Sequence, residues 1–137
     1  MPPLTDPNAQ PTERVFREFV DCLFQSKRDG DDGFLHGAVG IAGESAEILD
    51  HMKKLWVYDR AMDRDKVIEE MGDTIHYLMM LCIKMDVTFA GLIRNNMVKL
   101  NKRYPNGFSK ADAIARADQV EPKTIFTEFD HDCIPGN

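Results

Sequence analysis

Four carboxylates fall into two pairs of identical spacing, Glu44 with Glu47 and Glu70 with Asp73. Each residue of an α-helix advances about 100°, so positions three apart lie about 60° from one another around the axis and share a face. Each pair therefore projects from one side of its helix. The stretch from Ile48 to Glu69 is long enough for one helix to end, turn and hand over to a second running back antiparallel, which would let the pairs meet across a bundle. Their neighbours, Ala42, Ala46 and Ile48 on one helix and Ile68, Met71 and Ile75 on the other, place the acids beside apolar faces. Four such charges at close quarters repel by roughly several kcal/mol even at an effective dielectric near 20, so they must be protonated, paired with cations of the chain, or neutralised by metal. An all-oxygen donor set of this hardness suits Mg²⁺, with Mn²⁺ as a substitute. Glutamate is also a good helix former, so spacing by itself leaves a metal site and a pair of solvated helix faces both open.

The elements that must carry these acids are helical. Thr12 can cap a first amphipathic helix in which Val15, Phe16, Phe19, Val20, Leu23 and Phe24 recur at i, i+3, i+4 spacing, ending near Lys27. The run from Arg28 to Gly33 combines turn formers with like charges and reads as a loop. From Phe34 to about Tyr58, Leu35, Val39, Ala42, Ala46, Leu49 and Leu55 keep a helical period, and Gly37, Gly40 and Gly43 suggest close approach of a neighbouring helix. After a polar turn from Arg60 to Asp65, Val67, Met71, Ile75, Leu78, Met79, Cys82 and Met85 mark a third helix, apolar over most of its girth and hence a core element. Asp86 or Thr88 can cap a fourth helix bearing Phe89, Leu92, Ile93, Met97 and Leu100, which Tyr104-Pro-Asn-Gly107 stops. Ser109 can cap a short helix from Lys110 to Asp118. No segment alternates with period two and no repeat is present. The expected fold is therefore all-α: an antiparallel bundle of four main helices, too apolar to stand alone and completed by oligomerisation. The expected organisation is a flexible proline-rich arm over residues 1–11, one domain over 12–118, and an extended acidic tail over 119–137.

Composition narrows the partners. Acidic residues number 23 against 17 Lys plus Arg, a formal charge of -6, which disfavours a broad grip on nucleic acid or an anionic membrane while leaving a phosphorylated small molecule open. Cys22, Cys82 and Cys133 form no CxxC pair and read as free thiols. The N-terminus lacks the charged start and apolar run of a signal peptide, and no stretch approaches the roughly 18 apolar residues of a membrane helix. A cytoplasmic protein is the expectation.

The string Gly40-Ile-Ala-Gly-Glu-Ser-Ala-Glu-Ile-Leu-Asp50, then Lys53-Lys54, Glu69-Glu-Met-Gly-Asp73 and Asn96-Met-Val-Lys-Leu-Asn-Lys-Arg-Tyr-Pro-Asn-Gly-Phe108, closely resembles the MazG-like nucleoside triphosphate pyrophosphohydrolases. The resemblance spans about Leu35 to Ser109 and its motifs fall, in order, on the helices just drawn. It implies Mg²⁺-dependent hydrolysis of a nucleoside triphosphate to the monophosphate and pyrophosphate. It also implies that Glu44, Glu47, Glu70 and Asp73 ligate the metal, with one glutamate, for which Glu47 is our choice, handling the attacking water. Lys54, Asn96, Lys99 and Arg103 would hold the triphosphate, with Tyr104 and His36 near the nucleotide, in a homodimer or homotetramer. Trp56 could stack on a base or pack at a subunit contact, and His76, three residues after Asp73, sits among Tyr77, Leu78 and Met79 as a core residue would. Base preference is not encoded legibly; a purine deoxynucleotide such as dGTP is the expectation, resting on Asn95, Asn96 and Trp56. Two competing readings remain: an inactive helical binding or regulatory module of the same fold, and a di-iron carboxylate bundle. The latter requires two Glu-x-x-His motifs, and this chain has none, Asp73-x-x-His76 being the nearest approach.

Overall fold

The structure, a computed structural model, describes residues 10–24 and 32–119. The greater part of the expected arm and tail, the loop residues 28–31, and Cys133 lie outside the described residues. Five α-helices and one 3-10 turn make up what is described, and no strand forms among these residues: α1 (Glu13–Phe24), α2 (Asp32–Tyr58), α3 (Arg64–Met85), α4 (Phe89–Arg103), α5 (Lys110–Ala115) and the turn Ala117–Gln119. The all-helical class is as the periodicity predicts. The chain divides into two compact units, Met1–Met85 and Asp86–Asn137.

In the first unit Thr12 begins α1 with its hydroxyl facing the Val15 N–H at 3.4 Å and its carbonyl accepting from Phe16 at 3.0 Å. Helix α2 starts at Asp32, two residues before the expected Phe34, so the glycine-aspartate run does not hold the loop open as far as Gly33. It ends at Tyr58, where Asp59 takes a left-handed φ of 49° and the Arg60 N–H reaches the Lys54 carbonyl at 3.2 Å. Asp63 then caps α3, its carboxylate accepting from the Lys66 N–H at 3.1 Å.

Helices α2 and α3 run antiparallel, and glycines set their separation. A methyl group built on Gly37 would stand 2.7 Å from Leu81 Cδ2, and one on Gly40 would strike the Tyr77 ring. Contact thus passes from Gly33 against Lys84, through Gly37 and Gly40, down to Glu44 against Glu70 and Asp73. Gly43 does not belong to this seam: a Cβ there would meet nothing within 4 Å. The contact line steps from Gly33 to Gly37, Gly40 and Glu44 by alternate strides of four and three residues, so Gly43 stands about 100° around the axis from the next contact position.

The interior is small. Val20 of α1 and Met79, Met80 and Cys82 of α3 are buried, with α1 packed on α3. Leu35, Val39, Leu49 and Trp56 of α2, and Ile68, Met71 and Ile75 of α3, stay exposed, Trp56 to 80%. Cys22 and Cys82 are free thiols.

In the second unit Thr88 is the N-cap, its hydroxyl accepting from the Gly91 N–H at 2.9 Å. Asp86, the alternative, sits in a left-handed conformation at φ 50° at the end of α3. Ser109 caps α5, accepting from the Asp112 N–H at 3.0 Å and donating to the Asp112 carboxylate at 2.6 Å. The helix stops at Ala115, short of the expected Asp118, because Arg116 adopts φ 50° and the chain turns. Asp118 is thereby carried back to α4, where it is buried against Arg103. No single helix among the described residues is long and apolar enough to cross a membrane.

Candidate active site

Three of the four acids come together. One carboxylate oxygen from each of Glu44, Glu70 and Asp73 lies within 4.8 Å of the others, Glu44 contributed by α2 and the other two by α3. The Gly40–Tyr77 contact lies one helical turn from Glu44 on α2 and one turn from Asp73 on α3, so the close approach that Gly40 permits is what brings the two helices' acids within reach. Glu70 is buried at 7% exposure, Glu44 is half-buried and Asp73 is exposed, so the cluster opens to solvent on one side.

The Glu44 carboxyl titrates above its usual range. Burial is the main cause, followed by the charge of Asp73, a hydrogen bond with Glu70, and the charges of Glu47 and Glu70. Such a set, with acidic oxygens of two helices crowded at one point, is what a hard divalent cation neutralises. The donor chemistry and spacing therefore fit Mg²⁺ or Mn²⁺. Glu47, exposed and one turn on from Glu44, adds its charge to Glu44 but stands outside the three-oxygen cluster.

Beside the acids is a group of rings. Phe24 of α1 meets His36 of α2 at 5.6 Å and His76 of α3 at 5.2 Å between centroids, and Tyr77 completes the group at 5.6 Å from His36 and 5.4 Å from His76. His36 and His76 are half-buried. Burial holds the His76 imidazole below the ordinary histidine range, with His36 adding to the effect and Asp73 opposing it. His76 thus belongs to the packing rather than to the carboxylate set, as its neighbours predicted.

The expected phosphate ligands are differently placed. Lys54 pairs with Asp50 at 2.8 Å, and Lys53 takes the other oxygen of Asp50 at 2.6 Å, which lowers the Asp50 pKa to about 2. Trp56 projects from the last turn of α2. Within the second unit, Asn96 and Lys99 are exposed on α4. Arg103 is held by Asp118 through two hydrogen bonds, Nε to Oδ1 at 2.6 Å and Nη2 to Oδ2 at 2.7 Å. Tyr104 lies with its ring centre 5.8 Å from the Arg103 Cζ and packs on Phe108 at 5.4 Å. Asp118, Asp50 and Phe24 escaped the sequence reading as partners of these groups. Asp50 could have been found from its i+3 and i+4 spacing to Lys53 and Lys54, whereas nothing local connects Asp118 with Arg103.

A family model for the MazG nucleotide pyrophosphohydrolase domain matches residues 37–108, a little over half of the chain. The match takes in all four acids and Lys54, Asn96, Lys99, Arg103 and Tyr104, while His36 falls just before it and Asp118 beyond it. The chain is also similar to the Gene 37 protein of Mycobacterium phage L5, with 29% identity over 84 residues covering 58% of this chain and 73% of the phage protein. No solved structure matches it significantly.

Proposed function

Because this chain belongs to the MazG nucleotide pyrophosphohydrolase family, we propose that it is an active, Mg²⁺-dependent enzyme that hydrolyses a (deoxy)nucleoside triphosphate to the monophosphate and pyrophosphate, and so controls nucleotide pools. The observation that carries this reading is the meeting of Glu44, Glu70 and Asp73 oxygens from two helices at one half-open point. An inactive module would have no need to keep these like charges together, since their repulsion only weakens the fold.

Glu44, Glu70 and Asp73 would hold the cation, with Glu47 as the fourth acid of the site. A Mg²⁺ held by these residues would supply positive charge against the negative charge that builds up on the phosphate, and would acidify water at the site. The water's oxygen bonds to the α-phosphorus, the bond from that phosphorus to the α–β bridging oxygen breaks, and pyrophosphate leaves. Glu47, exposed and free of the three-oxygen cluster, takes the water's proton. Lys54, Asn96, Lys99 and Arg103 are assigned to the triphosphate, and Tyr104 and His36, the latter in its aromatic surroundings, to the nucleotide. A purine deoxynucleotide such as dGTP is the substrate we favour.

The exposed apolar line of Leu35, Val39, Leu49 and Trp56 on α2, with Ile68, Met71 and Ile75 on α3, supports a homodimer or homotetramer. The test is product analysis on a panel of nucleoside triphosphates with Mg²⁺. Monophosphate and pyrophosphate in equal amounts are expected; a diphosphate with orthophosphate, or no product from any base, would overturn the proposal.

A further inference from the structure

The contact between Arg103 and Asp118 has a specific geometry. Asp118 is buried at 6% exposure, and its carboxylate takes the guanidinium side-on, through Nε and Nη2. A guanidinium carries five N–H donors in one plane. Side-on pairing uses one on Nε and one on Nη2. The other three lie on Nη1 and the outer side of Nη2, along the edge that faces away from Asp118, and the Tyr104 hydroxyl also hydrogen-bonds the guanidinium. That edge is a fork that matches two oxygens of a phosphate. Asp118 and Tyr104 thus brace the arginine on two sides, and its side chain is 16% exposed.

The chain departs from its simplest course to make this contact. Arg116 takes the left-handed conformation that ends α5, which returns Asp118 to α4, and the Arg116 Nε stands 3.9 Å from Asp118 Oδ1. Hydrogen bonds from Arg103 lower the Asp118 pKa to about 2, so the carboxylate is anionic wherever a nucleotide would be handled. Asp118 also lies outside the stretch matched by the family model.

We propose that Asp118 is a positioning residue for Arg103, fixing the guanidinium with its outer fork open to phosphate oxygens of the nucleotide. This rests on the assignment of Arg103 to the triphosphate made above. The advantage is geometric rather than coulombic: the pair is nearly neutral, but an arginine already held in one rotamer gives up little conformational freedom when an anion binds. A masking role for Asp118 makes the opposite prediction, because removing a competing carboxylate would tighten binding.

The experiment measures KM and kcat on the full chain, with the best triphosphate from the panel and saturating Mg²⁺, well below the melting temperature of every variant. Asp118→Asn is expected to raise KM about five- to tenfold with kcat within about twofold, the loss expected when one long side chain must be ordered by the ligand itself. Asp118→Glu, which keeps the charge but shifts the guanidinium, raises KM by less, about twofold. In an Arg103→Lys background, where the fork is gone, Asp118→Asn adds no further increase. A tie that only stabilises the fold would lower the melting temperature and leave KM where it was; that result overturns the proposal, as does a fall in KM. If Asp118→Asn does not fold, Asp118→Glu carries the test, and an unchanged KM there overturns it equally. If Arg103→Lys itself leaves KM unchanged, the assignment of Arg103 fails and this inference falls with it. No turnover in the wild-type chain is a different failure, that of the proposed activity, and it too removes the basis for positioning.

Discussion

Replacing Gly40 and Gly43 separately by alanine tests whether the α2–α3 seam is what assembles the acids. In a helix interior, Gly→Ala stabilises by about 1 kcal/mol through backbone entropy. At Gly43 nothing opposes that gain, since the added methyl meets no atom within 4 Å. At Gly40 the methyl runs into the Tyr77 ring, whose Cγ and Cδ1 are fixed near the backbone and cannot swing clear as a flexible chain end would. Overpacking of this kind costs about 1–3 kcal/mol, which cancels or exceeds the propensity gain. Gly43→Ala should therefore be more stable than wild type by about 1 kcal/mol, and Gly40→Ala less stable than Gly43→Ala by about 1–3 kcal/mol. Urea unfolding at one temperature, with unchanged m-values, reads both differences. Forcing α2 and α3 apart one turn from Glu44 and Asp73 should also weaken Mg²⁺ binding in Gly40→Ala and not in Gly43→Ala. Equal stabilisation by the two substitutions, or equal metal affinity, would refute the claim that Gly40 sets the distance between the helices.

Three further outcomes follow from the site and its surroundings. Glu44 titrates above its ordinary value of 4.5, so its ionised form weakens the metal-free fold at pH values above its folded pKa, and that penalty is relieved as pH falls through it. Glu44→Gln should therefore raise the melting temperature of metal-free protein near pH 7, with the advantage gone below about pH 4 and abolished by saturating Mg²⁺ in the wild type. Asp118 is shifted the other way, from 3.8 to about 2, so its contribution is complete above the unfolded value and lost as pH falls through about 2. Asp118→Asn should accordingly melt below wild type near neutrality and converge with it in strong acid. On the exposed face of α2, Leu49→Glu combined with Trp56→Glu should shift sedimentation toward a smaller species, because two charges placed on an apolar contact are unpaired when it closes.

The helices and most of their caps were legible because they are local: Thr12, Thr88 and Ser109 each sit before an apolar run of helical period, and each caps its helix. The acids were legible only as two pairs. That Glu44, Glu70 and Asp73 meet, with Glu47 outside their cluster, depends on the phase of α2 against α3, which spacing does not set. Gly43 shows the same limit, since composition counts three glycines while packing uses Gly37 and Gly40. The early end of α5 and the burial of Asp118 are tertiary in origin. Lys110 to Asp118 reads as one continuous helix, whereas the chain turns at Arg116 and Asp118 meets the guanidinium of Arg103, 15 residues back. The lysines were legible as cations but not as partners of Asp50, which takes both Lys53 and Lys54 at the surface.

The most direct test of the acidic site is Mg²⁺-dependent pyrophosphate release from a mixture of deoxynucleoside triphosphates, measured on wild type, Glu47→Gln, Glu70→Gln and Asp73→Asn with matched helical circular dichroism. Release by wild type should be abolished by chelation and restored by Mg²⁺, and all three variants should lose turnover with the fold retained. Undiminished release by Asp73→Asn or Glu70→Gln, or release by wild type that persists without any divalent cation, would contradict the proposed site.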